Sequence, residues 1–157
     1  MSASFAERQP LAASPSDDGC SLPNSLSVPA RPASLPLIGA MVQWHGRRAG
    51  LDSQRCGDLE VAVDEACTNV IRHAFSPEDA REMTILCEPV AEGLRVTITN
   101  QGRPFDPAEA AETGRAKHLQ DPASGGMGLL LMRRLTDAMD YRFSTQEGNQ
   151  LTLIKRK

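Results

Sequence analysis

Glu65, Asn69 and His73 recur at intervals of four within LEVAVDEACTNVIRHAF, the segment from Leu59 to Phe75. In a helix, positions i and i+4 stand one above the other. A carboxylate and a carboxamide at that spacing can address one small ligand volume. A solvated helix face can carry the same pair, so the spacing alone does not decide. A second segment, SGGMGLLLMRRLTD from Ser124 to Asp137, places Gly125, Gly126 and Gly128 ahead of an amphipathic run, Leu129 to Leu135. Glycines before a helix let the backbone approach phosphates, and the free N–H groups at the helix start favour an anion. The alternative is a flexible loop before an ordinary helix. No Gly-Lys-Ser/Thr follows, so this is not a Walker loop. No strand leads directly into the glycines, which argues against a dinucleotide fingerprint.

Between these segments lies RVTITNQGRPFDP, Arg95 to Pro107. Its alternation predicts a strand that stops at Asn100-Gln101-Gly102, followed by a stiff turn at Pro104-Phe105-Asp106-Pro107. A polar side chain at a strand end, followed by glycine, can present one hydrogen-bonding group to a flat ring. A plain loop exit has the same pattern. Taken together, the segments point to an ATP site.

The ordered boxes E-x-x-x-N, x-x-G-x-P-F-D-P and G-G-x-G-L-x-L resemble the N and glycine boxes of the Bergerat (GHKL-type) ATP-binding fold. Within it, the chain is most similar to the anti-sigma factor serine kinases of bacterial partner-switching systems, over roughly Leu26 to Lys157. The resemblance implies that Asn69 coordinates the Mg2+ on the phosphates of ATP. It makes Glu65 the general base toward a serine hydroxyl. Gly102 would line the adenine pocket, and Gly125, Gly126, Met127 and Gly128 would close over the phosphates. The implied partners are a small anti-sigma factor antagonist of the STAS type, a sigma factor and a second copy of the chain. Oxygen ligands suit a hard cation that keeps several waters, and phosphoryl transfer mainly needs positioning and charge neutralisation.

One position departs from the pattern. Where the resemblance expects an aspartate accepting from the adenine amino group, this chain has Asn100. Its carbonyl oxygen can accept, provided the amide turns its donor end away, but the charge-assisted bond is lost. That costs about 1–2 kcal/mol, or roughly tenfold in affinity.

The elements that position these residues follow from periodicity. Leu59, Val63, Ala66, Cys67, Val70 and Ala74 share one helical face, with Ile71 at its edge, and predict a buried stripe. Strands are expected at Leu26–Ala30, Glu82–Pro89, Gly93–Thr99, Tyr141–Thr145 and Gln150–Lys155. Further helices are expected at Ala33–Ala49 and Met127–Ala138, with a lid from Ala108 to Ser124 and a turn at Gln146-Glu147-Gly148-Asn149. Strand pairs with helices, without strict βαβ alternation, give an α+β class. The expected architecture is a two-layer sandwich, a mostly antiparallel sheet with helices on one face.

Residues 1–25, rich in Ser, Ala and Pro, read as a disordered tail, leaving 26–157 as the ATP-binding domain. No stretch reaches membrane-spanning length, which predicts a cytoplasmic protein. The net charge of −3 and the lack of a basic patch beyond Lys155-Arg156-Lys157 argue against nucleic acid. Cys20, Cys56, Cys67 and Cys87 lack zinc spacing and are expected as reduced thiols, Cys67 in the core. Two functions fit: a Mg-ATP-dependent serine/threonine kinase, favoured by Glu65 and Asn69, or a non-catalytic binding module that sequesters a partner, favoured by Asn100.

Overall fold

The computed structural model describes residues 21–106, 109 and 127–157. Strand β1 (Ser25–Pro29) leads through a 3-10 turn into α1 (Leu35–Arg48) and α2 (Ser53–His73). Then come β2 (Glu82–Val90), β3 (Gly93–Asn100), α3 (Met127–Leu135), β4 (Ala138–Ser144) and β5 (Gly148–Arg156). The sheet has the order β1-β2-β3-β5-β4, and every neighbouring pair is antiparallel. This is the expected α+β sandwich. Strand β5 is inserted between β3 and β4, although it follows both in the chain.

Alternation along the strands sorts the two faces. Ile85, Ile98 and Leu151 lie in register across β2, β3 and β5, as do Cys87, Val96 and Leu153, and all six are buried. The next set along those strands, Thr84, Thr99 and Gln150, points to the opposite face. Onto the apolar side packs the predicted stripe of α2: Leu59, Val63, Ala66, Cys67, Val70 and Ala74 are buried, with Ile71 partly exposed at its edge. Ile38, Met41 and Val42 of α1, and Leu129 and Met132 of α3, complete the core.

Helix α2 begins at Ser53 rather than near Leu59 because Asp52 caps it. The Asp52 carboxylate accepts the backbone N–H of Arg55 at 2.8 Å, pairing one donor that a helix start leaves orphaned. The predicted helix Met127–Ala138 stops at Leu135. Beyond it, Asp137 joins the sheet: its N–H donates to Ile154 O at 2.8 Å, and its carboxylate accepts from the N–H of Arg156 at 2.7 Å. Strand β4 therefore starts at Ala138 rather than Tyr141. Gly148 and Asn149, expected in a turn, belong to β5. Gly148 has a φ of +74°, and a Cβ there would lie 2.3 Å from Asn100 O, so the tight entry to β5 needs glycine.

One ion pair links three elements. Lys155 Nζ of β5 donates to Asp58 Oδ2 of α2 at 3.0 Å and to the terminal carbonyl of α3, Leu135 O, at 2.9 Å. Both side chains are largely covered, at 12% and 19% exposure for Lys155 and Asp58. Burial works to raise the Asp58 pKa, but hydrogen bonds from Lys155 and Gln54 outweigh it and leave the carboxyl below its ordinary value. Among the described residues, no helix is long and apolar enough to cross a membrane.

Replacing Asp58 with alanine should cost about 1.5–3 kcal/mol at pH 7, the scale of a hydrogen bond to a charged group. Because the folded pKa is depressed, this contribution is complete above the unfolded carboxylate value of about 3.9. It fades as pH falls through the lower folded value. Urea denaturation of both proteins across pH 3 to 7, taken as an approximate window around that value, should show the gap closing only at the acid end. Cys56, Cys67 and Cys87 are free and buried. Burial raises all three thiol pKa values, that of Cys87 up to about 12. Iodoacetamide should leave these three unlabelled in the native protein and modify them in denaturant, read by peptide mass.

Candidate functional site

The β3–β5 register sets Asn100 opposite Asn149 at one end of the sheet, with exposures of 6% and 4%. Asn149 is a hub. Its Nδ2 donates to Asn100 Oδ1 (3.0 Å), Gly102 O (3.2 Å) and Arg103 O (2.8 Å). Its Oδ1 accepts from the Phe105 N–H (3.0 Å) and the Tyr141 hydroxyl (2.6 Å). The Tyr141 oxygen also accepts from the Phe105 N–H at 3.0 Å. Burial raises the Tyr141 pKa above its ordinary value, although the Phe105 N–H works to lower it. The phenol therefore stays protonated and able to donate.

The loop after β3 is pinned on its other side by the end of α2. Arg103 donates its backbone N–H to Ala74 O (2.8 Å) and its Nε to His73 O (2.6 Å), meeting carbonyls that a helix end leaves unpaired. A Cβ on Gly102 would lie 2.2 Å from Ala74 O. Only glycine allows that approach. The His73 ring stacks on Phe105, with centroids 5.1 Å apart and planes at 9°. The third member of the polar stripe thus contacts the loop by its ring face.

Between these walls lies a narrow slot with an empty volume, open mouth included, of about 350 Å3. Ala66, Asn69, Val70 and Ala74 of α2 form one side, and Ile98, Asn100, Phe105, Tyr141, Asn149 and Leu151 form the rest. Apolar walls with a few convergent polar groups are what a flat ring requires. Two larger, more open hollows, one beside Pro36, Gly39 and Val61, the other around Leu22, Trp44 and Pro89, carry none of the motif residues.

At the slot's edge, the start of α3 meets the Glu65–Asn69 pair. A Cβ on Gly128 would lie 2.7 Å from Glu65 Oε2 and 3.9 Å from Asn69 Nδ2. Met127, beside it, is 57% exposed. Neither Glu65 nor Asn69 hydrogen-bonds through its side chain to another described residue. Gly125 and Gly126 lie outside the described residues, as does the predicted lid apart from Glu109.

Of the residues singled out from sequence, the structure brings Glu65, Asn69, Met127 and Gly128 to one end of the site and Asn100 and Gly102 to the other. Asn69 serves both, as it also lines the slot. Asn149, Tyr141 and Phe105 also belong to the site, and the sequence pattern does not mark them as site residues. Asn149 lies 49 positions from Asn100, and only the strand register shows them as neighbours. One expectation needs correcting. The Asn100 carbonyl oxygen is not free to accept from a ring, because it already accepts from the Gly102 N–H and Asn149 Nδ2, each at 3.0 Å.

A family model for the histidine kinase-like ATPase domain matches residues 28–155. Serine-protein kinase RsbW of Listeria monocytogenes serotype 4a (strain HCC23) is 30% identical over 140 residues, covering 83% of this chain and 85% of the relative. RsbW of Bacillus subtilis (strain 168) is 30% identical over 134 residues, covering 83% and 82%. Among solved structures, the SiaB–SiaC complex from Pseudomonas aeruginosa aligns with a TM-score of 0.51 at 16% identity, over 82% of this chain and 86% of that one. That likeness is one of fold.

Asn149→Ala should strand the carbonyls of Gly102 and Arg103 and cost about 2–3 kcal/mol. Gly102→Ala should cost about 1–3 kcal/mol through forced displacement of the loop from α2. Both are measured by urea denaturation. A variant as stable as the parent would mean that its contact does not hold the loop.

Proposed function

This chain belongs to the family of histidine kinase-like ATPase domains, in the group of the RsbW serine-protein kinases, and on that premise we propose that it is a protein serine/threonine kinase and anti-sigma factor in a partner-switching system. Residues 26–157 act as a cytoplasmic domain that uses a magnesium–purine nucleoside triphosphate, with ATP as the reference donor. The observation that carries this reading is the meeting of the α3 start with Glu65 and Asn69 beside an apolar slot.

The donor set suits magnesium. The Asn69 carboxamide bonds to no other described residue, and one carboxamide oxygen alongside phosphates and waters is a sufficient protein contribution. Magnesium held there would supply charge neutralisation on the phosphates. Glu65, one turn away, takes the proton from the attacking hydroxyl, a contribution of typically 100-fold or more. As the glycine-box resemblance implies, Gly125, Gly126, Met127 and Gly128 would close over the phosphates, with the base directed into the slot toward Asn100 and Gly102. The acceptor is a serine on a small STAS-type antagonist. Added phosphate brings a charge of about −2 and shifts the partner equilibrium between antagonist and sigma factor. A homodimer completes the assembly.

A second reading, a non-catalytic module that holds a partner, draws on the saturated Asn100 oxygen, since that side chain then offers no acceptor to a ring amino group. Phosphate transfer separates the two. With each purine triphosphate as donor and a STAS antagonist as acceptor, the parent should label a serine. Glu65→Ala should be slower by about 100-fold or more, and Asn69→Ala should lose magnesium-dependent nucleotide binding. Equal labelling by the parent and Glu65→Ala would remove Glu65 as the base. No labelling with any donor would favour the module.

A further inference from the structure

The slot ends on a chain of amides whose polarity is fixed. Asn149 cannot be reversed, since its Nδ2 faces the Gly102 and Arg103 carbonyls and its Oδ1 faces the Phe105 N–H and the Tyr141 hydroxyl. That fixes Asn100 in turn. Both groups on its Oδ1, the Gly102 N–H and Asn149 Nδ2, are donors, and a flipped amide would set N–H against N–H. Two acceptances fill the lone pairs of a carbonyl oxygen. The remaining polar group of Asn100, Nδ2, bonds to no described residue, although the side chain is more than nine-tenths buried and lines the slot. An unpaired buried donor is costly and calls for an acceptor.

We propose that this donor selects a purine with a carbonyl at position 6, a guanine or hypoxanthine nucleotide, over adenine. It rests on the nucleotide reading of the same site and narrows its base. In a base whose position 6 faces Asn100, the orientation that the glycine-box resemblance implies, a 6-amino group would meet Nδ2 donor to donor, leaving both unpaired. A 6-oxo group accepts. Sites built to hydrogen-bond one partner reject its mismatched analogue strongly.

Calorimetric titration of the full chain with the magnesium salts of ITP, GTP and ATP tests this directly. ITP differs from ATP only in the 6-substituent and the N1 proton that accompanies it. Both 6-oxo nucleotides should bind at least about tenfold more tightly than ATP, the factor that one unpaired buried hydrogen-bonding group commands. Asn100→Asp should reverse the order, because its second oxygen accepts where Nδ2 donated. Equal affinities, or tighter ATP binding by the parent, would overturn the selectivity and leave the nucleotide site intact. ATP binding only by Asn100→Asp, with no nucleotide bound by the parent, would also overturn it and mark the slot as disabled. If neither protein binds any triphosphate, the nucleotide reading fails together with the selectivity.

Discussion

The pairing of Asn100 with Asn149 across the β3–β5 ladder is the contact on which the functional end of the molecule depends. It is held by apolar residues of the same two strands. Val96 opposite Leu153 and Ile98 opposite Leu151 bury their side chains against α2. A slip of one residue would turn that whole set to the other face of the sheet. Hydrophobic burial therefore fixes the register, and the register delivers two amides to the same spot. The polar network adds direction: every hydrogen bond around Asn149 has a definite donor and acceptor, so the loop from Gly102 to Phe105 has one way to lie.

The two ends of the site differ in character. At the sheet end, carbonyls, a phenol and every amide group but the Asn100 Nδ2 are taken up by one another and the backbone is clamped to Ala74. At the helix end, Glu65 and Asn69 carry side chains that no other described residue engages. A rigid recognition end and an uncommitted polar end suit a molecule with a flat ring at one side and charged groups at the other. Helix α2 spans both and keeps them in fixed relation.

Periodicity exposed much of this. The apolar stripe of α2 follows from its spacing, and once that stripe faces the sheet, Glu65 and Asn69 must lie on its flank. The strands follow from alternation. Long-range consequences were not readable. Asn149 looked like a turn residue because nothing local says which strand β5 will join. Lys155 looked like part of a terminal basic cluster, yet its ammonium turns inward to Asp58 and Leu135. The direction of the Asn100 amide depends on two donors, one of them 49 positions away. Helix α3 ended early because Asp137 finds partners on β5, which local propensity cannot weigh.

The insertion of β5 between two earlier strands has a consequence for the protein's birth. As the chain leaves the ribosome, β3 is complete long before its neighbour is synthesised, so one edge of the central sheet stays open with its N–H and C=O groups unpaired. Non-local pairings of this kind form late, and an open apolar edge invites association with other chains meanwhile. The slot acquires its second amide only when β5 docks. The slot is therefore among the last features of the fold to be completed, and its full lining marks a finished sheet.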